Sequence, residues 1–284
     1  MKKVAKRKPA PKRPIPKKKL SKKSGNFKLK WLWLLIVTII FGAFVYQFRD
    51  GLLYYLGYKS DKILKETKHL SDVHNVQVLS NHPNFVVGID VSQYQGKIDW
   101  SKVDSISGIR KIEFAYIRAT AGDNKTDKQF ATNWRQAKEN NMLRGAYHYY
   151  RPNENSYDQA NNFIKVVKLE KGDLPPVLDI ERIPSIQSLD SLKVGLRRWL
   201  TTVEKHYKVR PIIYSGESYY TDFLRHEFKE YIFWIANYNF FVEKIKDDWM
   251  FWQFTDKGTV SGITGDVDVN IYNGTPKMLN YMAK

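Results

Sequence analysis

Residues 174–181 read LPPVLDIE, an apolar run that ends in two acidic residues. Similar short runs of β-branched and apolar residues recur along the chain, with longer helical patterns between most of them. This alternation is typical of β-α-β units and a largely parallel sheet. Eight such runs, enough to close a barrel, are FVVGIDVS (85–92), IEFAYIRAT (112–120), RGAYHYY (144–150), PPVLDIE (175–181), RPIIYSG (210–216), YIFWIAN (231–237), MFWQFTD (250–256) and VDVNIY (267–272).

The segments between these runs carry helical periodicity. Apolar residues recur three to four positions apart from Phe130 to Ala137, and again from Leu189 to Val203, where Ser188 is the expected N-cap. After Tyr214 the gaps between runs leave room only for short helices. We therefore predict an α/β fold, an irregular (β/α) TIM-like barrel with eight strands whose last third departs from eightfold regularity.

Basic residues are concentrated at the N-terminus. The 284 residues contain 47 Lys or Arg and 29 Asp or Glu, but residues 1–30 hold fourteen of the basic residues and no acidic one. The remainder carries 33 basic against 29 acidic residues and is nearly balanced. The basic, proline-containing tail is expected to be disordered and to contact anionic lipid head groups; nucleic-acid binding is not expected.

An uncharged segment, WLWLLIVTIIFGAFVYQF, follows at residues 31–48. At about 1.5 Å per residue its helix would span roughly the hydrocarbon thickness of a bilayer. The cations precede it, so the positive-inside rule predicts a single-pass anchor with a cytoplasmic N-terminus and an exported C-terminal part. A cleaved signal peptide is the alternative, although its apolar region should be shorter and end in small residues.

These patterns predict four regions along the chain. They are a basic disordered cytoplasmic tail at 1–30, a transmembrane helix at 31–48, a partly helical stalk or linker at 49–84 and a folded domain at 85–284. The anchor places the chain at the plasma membrane, with the folded domain on the extracellular side.

Acidic residues stand at the carboxyl ends of three predicted strands, where parallel barrels and open sheets bind ligands. Asp90 ends the first, Asp179 and Glu181 end the fourth, and Asp266 and Asp268 lie on one face of the last. Carboxylates that converge raise one another's pKa, and glycoside hydrolysis uses such an unequal pair. We predict Glu181, Asp179, Asp90 and Asp268 as catalytic residues, with Glu181 as the proton donor.

Aromatic and polar residues occur near the same strand ends. Aromatic faces suit sugar rings, although core packing explains each aromatic taken alone, and His148 fits a structural role as well as a substrate contact. We predict as substrate-binding residues Tyr94, Tyr116, Tyr149, His148, Trp234, Tyr238, Trp252 and Gln253.

Other chemistries find little support in the sequence. The chain has no cysteine, so thiolate metal sites, disulfides and Cys nucleophiles are excluded. The six His show no H-E-x-x-H or other paired spacing, and the serine-hydrolase and phosphate-loop motifs are absent. We expect no metal and no cofactor, although a carboxylate-bound cation remains compatible with the acidic cluster.

Seven segments together resemble the glycoside hydrolase family 25 lysozymes, the Chalaropsis-type N-acetylmuramidases. In order along residues 85–284 they are VVGIDVSQYQG, FAYIRATAG, GAYHYY, LPPVLDIE, PIIYSG, FWIANY and WQFTDKGTVSGITGDVDVN. The resemblance implies a barrel of five βα units followed by three strands. It also implies cleavage of the β-1,4 bond between N-acetylmuramic acid and N-acetylglucosamine in the glycan strands of peptidoglycan.

The same resemblance assigns the catalytic acid to Glu181 with Asp179 as its partner, and matches Asp90 and Asp268 to two further acidic positions of the family. Asp266 falls where the family is usually not acidic. Ala121 replaces the acidic residue of an A-T-E-G motif, which implies altered substrate contacts. The resemblance leaves open whether a carboxylate or the substrate's N-acetyl group attacks the anomeric carbon.

Two other functions are alternatives to a membrane-anchored muramidase for cell-wall remodelling. The first is a catalytically silent glycan-binding scaffold at the wall, which the presence of all four acidic residues disfavours. The second is a metal-dependent deacetylase, which the missing His pair disfavours.

Overall fold

The computed structural model describes residues 26–47, 61–246 and 248–283. Predictions for residues 1–25 and 48–60 therefore lie outside the described residues. A first helix, α1, covers Asn26–Gln47 and begins inside the segment predicted as a tail. Within the ranges that the structure describes, no helix is long and apolar enough to cross a membrane, so the predicted span over 31–48 is not confirmed. Of the described residues, 26–47 belong to one unit and those from 61 onward to a second, compact unit.

Eight strands form a closed barrel in the second unit. Seven of them follow one another as parallel neighbours, and the eighth lies antiparallel between the seventh and the first. This confirms the predicted eight-stranded α/β barrel. The strands are β1 (Val86–Val91), β2 (Phe114–Ala121), β3 (Leu143–Tyr149), β4 (Val177–Asp179), β5 (Ile212–Gly216), β6 (Ile232–Ala236), β7 (Phe251–Gly258) and β8 (Val267–Tyr272).

Helices cover the outside of the barrel unevenly. The helices after α1 are α2 (Asp61–Asn81), α3 (Phe130–Glu139), α4 (Ser156–Val166), α5 (Leu189–Tyr207) and α6 (Pro276–Met282). In α5, the Ser188 side chain accepts a hydrogen bond from the Ser191 backbone N–H, as expected for an N-cap. The link from β5 to β6 holds only a short helical turn, Glu217–Tyr219, and one π-helical turn, Tyr220–Leu224. The predicted irregular last third is therefore observed.

Side chains alternate between the barrel interior and the helix layer, as the pleat of each strand requires. Aromatic rings fill the interior, with Tyr116 and Trp234 only 5.0 Å apart between ring centroids. Glycines make room for them: a Cβ at Gly145 would stand 2.2 Å from the Tyr116 ring, and one at Gly88 would stand 2.4 Å from the Phe114 ring. The interior is therefore a packed core below the carboxyl ends of the strands.

Helix α2 packs on the outside of the barrel next to β7. One face of the helix is buried there, at Ser71, His74, Asn75, Val78 and Leu79, with the spacing of an amphipathic helix. This segment belongs to the region that the sequence analysis assigned to a stalk or linker. Its residues Asp61–Asn81 are part of the second unit.

Candidate active site

The four predicted carboxyl groups meet at the mouth of the barrel, where the parallel strands end. Asp90 and Asp268 are register partners across the antiparallel pair of β1 and β8. Asp179 ends β4, and Glu181 follows two residues later. All four side chains line one pocket of about 350 Å³. The prediction that these distant residues converge is confirmed by their positions.

Asp90 lies at the centre of a hydrogen-bond network. Its Oδ2 accepts bonds from Gln253 Nε2 at 2.6 Å and from Asn270 Nδ2 at 2.9 Å. The Gln253 Oε1 atom in turn accepts bonds from the hydroxyl groups of Tyr214 and Tyr238. Because an ionised carboxylate only accepts, the NH₂ group of Gln253 faces Asp90, and its Oε1 is left to accept from both hydroxyls. These bonds hold the Asp90 carboxylate in one orientation.

The carboxyl groups differ in their affinity for protons. Burial raises the pKa of Asp90 to about 6, with a further contribution from Glu181, although the bonds from Asn270 and Gln253 oppose the shift. Burial and then the charge of Asp90 raise the pKa of Asp268 to about 9. At neutral pH, Asp90 is therefore mostly ionised and Asp268 mostly protonated.

The carboxyl groups of Asp179, at the end of β4, and of Glu181, two residues later, hold their protons more tightly than isolated ones. Burial and then the charges of Glu181 and Asp90 raise the pKa of Asp179 well above its usual range. Its buried Oδ1 atom has no hydrogen-bond partner among the described residues. Desolvation also raises the pKa of Glu181, which the Arg182 guanidinium partly opposes. Both groups therefore retain protons to a higher pH than ordinary carboxyls.

A longer groove of about 1000 Å³ opens beside the pocket. Its walls come from the segment after β5, including Glu217 and Phe223, and from the segment after β6, including Asn237 and Asn239. Of the four predicted carboxyl groups, Glu181 alone lines both the pocket and the groove. A polymer lying along this cleft would pass Glu181 at the junction.

Five of the predicted substrate-binding residues line the pocket: Tyr94, Tyr149, Trp234, Tyr238 and Gln253. Tyr94 is 79% exposed at the rim, where the Arg118 guanidinium lies 4.7 Å from its ring centroid. Trp234 is buried at the base of the pocket and donates a hydrogen bond from Nε1 to Asn270 Oδ1. The pocket thus has an open aromatic rim and a polar floor.

Three predicted substrate contacts are wrong because their side chains point away from the mouth. Tyr116 lies deep in the barrel interior, where its hydroxyl donates to the Pro175 carbonyl. Trp252 points outward to the helix layer, and its Nε1 donates to the Asn237 carbonyl. His148 also points outward and stacks on Trp199 with 5.4 Å between ring centroids. Among the described residues none of the three lines the pocket or the groove.

His148 is a structural residue. Its Nε2 faces the side-chain Oε1 of Gln159 and its Nδ1 faces the Thr120 hydroxyl, so Nε2 carries the proton and Nδ1 accepts. Burial lowers the pKa of His148 to about 3, so the ring is neutral at physiological pH.

The sequence analysis missed several residues that line the pocket, among them Arg118, Tyr147, Tyr214 and Asp256. It also missed Asn270, which holds Asp90. A signal was present for Tyr147, which precedes Tyr149 by two positions and therefore shares its face of β3. Arg118 is oriented by Asp127, whose Oδ2 accepts a bond from Nε at 2.9 Å.

The family model of glycosyl hydrolases family 25 matches residues 89–263 of this chain. The chain belongs to this family. It is therefore a glycoside hydrolase of the lysozyme (muramidase) type. The matched range contains Asp90, Asp179 and Glu181, whereas Asp268 follows it.

Individual proteins are similar to this family 25 hydrolase in sequence and in structure. The uncharacterized protein YegX of Escherichia coli strain K12 is 42% identical over 197 residues, covering 68% of this chain and 71% of its own. Lysozyme M1 of Streptomyces globisporus is 35% identical over 213 residues, covering 70% and 71%. The crystal structure of a bacterial lysozyme from Streptomyces coelicolor superposes with a TM-score of 0.63 at 32% identity, covering 70% of this chain and 96% of that one.

Proposed function

We propose that the chain is a peptidoglycan muramidase that cleaves the β-1,4 bond from N-acetylmuramic acid to N-acetylglucosamine, with Glu181 as general acid. The position of Glu181 carries this proposal, because this carboxyl group stands at the junction of pocket and groove. Its raised pKa favours the protonated form that a leaving oxygen needs. The lysozyme relatives support peptidoglycan as the substrate.

The remaining carboxyl groups suit the positive charge that develops on the sugar ring. Asp90 supplies a fixed, mostly ionised carboxylate, and hydrogen bonds prevent it from turning away as charge develops. Asp179 stands beside Glu181 in the wall of the pocket, and its buried Oδ1 atom has no hydrogen-bond partner among the described residues. Because Asp268 is mostly protonated, it does not place a second full negative charge next to Asp90.

The attack on the anomeric carbon has more than one route. A carboxylate and the substrate's N-acetyl group both lead to retention of configuration, whereas direct attack by water inverts it. Proton NMR of the fresh reducing end distinguishes these outcomes. Retention is expected if Asp179 takes part as nucleophile or as orienting group for the N-acetyl.

Digestion of purified peptidoglycan tests the activity. The wild-type chain should release fragments with new reducing-end muramic acid, detected by mass spectrometry after borohydride reduction. Glu181→Gln keeps the side-chain shape but removes the proton, and should abolish this product with an unchanged melting temperature. Glu139→Gln, on the exposed end of α3, is the matched control. Unchanged peptidoglycan would indicate a silent glycan-binding scaffold, and loss of acetyl groups a deacetylase.

We also propose that residues 31–48 anchor the enzyme in the plasma membrane with the barrel on the outer side, so that it remodels cell-wall glycan close to the bilayer. The uncharged 18-residue segment and the fourteen cations that precede it support this proposal. Carbonate extraction of membranes tests it: the full chain should stay with the membrane fraction, and a chain starting at residue 51 should be released. Release of both would contradict the anchor.

A further inference from the structure

The segment Asn237–Lys246, named the groove loop here, connects the active site to a helix outside the family match. Its first three residues, Asn237, Tyr238 and Asn239, line the groove. Tyr238 donates its hydroxyl hydrogen bond to Gln253, which itself donates to Asp90. The start of the groove loop is therefore two hydrogen bonds from a carboxyl group of the site.

The far end of the groove loop is held by helix α2. Gln77 Nε2 donates to Glu243 Oε1 at 2.6 Å, and Asn81 Nδ2 lies within 3.5 Å of both the Glu243 carbonyl and its Oε2. The His74 ring stacks on Phe240 with 5.4 Å between centroids, and its Nε2 lies 3.4 Å from the Val242 carbonyl. Glu243 is thus the main polar link between the loop and the helix.

His82, directly after α2, adds a backbone contact. The Ile245 backbone N–H donates to His82 Nε2 at 3.2 Å, and His82 Nδ1 lies 2.7 Å from the Val78 carbonyl. Since a carbonyl only accepts, Nδ1 carries the proton and Nε2 is the acceptor that the loop needs. The neutral ring therefore joins the helix to the loop in one tautomer.

On the barrel side, the groove loop is attached through a carboxylate of the groove wall. Glu217 accepts bonds from Asn237 Nδ2 and from Lys246 Nζ, which lie at the two ends of the loop. Between these ends, Val242, Glu243 and Ile245 make the polar contacts with α2 and His82 described above. The helix is therefore placed to fix the middle of the loop, and the family match, which starts at residue 89, does not include it.

We propose that α2 is a positioning element of the active site, and that Glu243 is the positioning residue through which it holds Tyr238 in the groove. This inference rests on the proposed function, because it assigns the groove to the glycan. A loop that is held in place keeps Tyr238 against Gln253 before substrate arrives, so less ordering is required in the transition state.

Variants of the full-length chain test the inference with soluble glycan fragments and amide hydrogen exchange. Glu243→Ala should lower kcat/KM roughly tenfold and increase exchange across residues 238–245. The melting temperature should stay within about 2 °C. Glu243→Gln keeps an acceptor for Gln77, so its kcat/KM and its amide exchange should both be close to those of the wild-type chain. Glu139→Ala, which removes an exposed ion pair with Arg135 on α3, is the matched control.

A double variant tests whether Gln77 and Glu243 affect hydrolysis through one shared contact. The double variant Gln77→Ala, Glu243→Ala should lower kcat/KM no more than Glu243→Ala alone, since both substitutions remove the same contact. The inference would be overturned if Glu243→Ala showed the same amide exchange across residues 238–245 as Glu139→Ala. It would also be overturned if exchange in the loop increased while kcat/KM stayed unchanged. If the wild-type chain does not hydrolyse glycan, the proposed function fails, and unchanged exchange in residues 238–245 would still overturn the positioning role.

Discussion

Asp90 and Asp268 are register partners on adjacent antiparallel strands of the barrel. Burial and their proximity raise the two pKa values by different amounts, to about 6 for Asp90 and to about 9 for Asp268. Two neighbouring carboxyls thus carry about one charge between them at neutral pH, which makes the cluster tolerable to the fold.

Asp268→Asn should stabilise the protein, and the gain should grow with pH. The folded-state pKa of Asp268 lies above its ordinary value of 3.8, so its favourable contribution is complete below about pH 4 and is lost as the pH rises toward 9. Asparagine does not ionise, so the variant does not lose this stability as the pH rises. Thermal melts at pH 4 and pH 8 should show a melting temperature at least about 2 °C above wild type at pH 8 and a smaller difference at pH 4. A constant difference at both pH values would contradict the assigned protonation.

Gln253→Ala should move the acid limb of the rate–pH profile to higher pH. Its amide stabilises the ionised form of Asp90, so removal raises the pKa of Asp90 and a higher pH is needed to ionise it. The hydroxyls of Tyr214 and Tyr238 also lose their acceptor, and kcat/KM should fall at least about tenfold. The profile is measured on soluble glycan from pH 4 to 8, and an unchanged acid limb would exclude Asp90 as the ionising group.

His148→Ala should weaken the fold without changing substrate recognition. The ring fills space between Trp199 and Phe163, and its loss leaves a cavity and an unpaired Thr120 hydroxyl. We expect the free energy of unfolding to fall by about 2–4 kcal/mol, measured by urea denaturation. KM at low temperature should match wild type. His206→Ala, at the exposed end of α5, is the control, and a raised KM for His148→Ala alone would restore a substrate role.

Gly145→Ala should destabilise the barrel interior. The added Cβ would stand 2.2 Å from the Tyr116 ring, which is packed against Trp234 and cannot move freely. Overpacking of this kind costs about 1–3 kcal/mol. Gly216→Ala is the matched control, since a Cβ there meets no atom within 4 Å. Equal unfolding free energies for the two variants, from urea denaturation, would contradict the packed interior.

Element type and order were predictable because strand signals depend on short apolar runs. All eight observed barrel strands fall on predicted runs, and β8 has the predicted bounds 267–272. The faces were harder to predict, because side chains alternate and a single position decides between pocket and helix layer. On β3, Tyr147 and Tyr149 line the pocket, whereas His148 between them faces Trp199.

The sequence by itself determined the eight strands of the barrel, their order along the chain and the acidic residues at its carboxyl edge, because these follow from local periodicity and from residue type at strand ends. Tertiary structure alone decided which side chains share the pocket, how protons are divided between Asp90 and Asp268, and that α2 holds the groove loop. The physical reason is that burial and hydrogen bonding join residues far apart in the chain: Gln77 and Glu243 are separated by 166 positions, and no local pattern encodes such a contact.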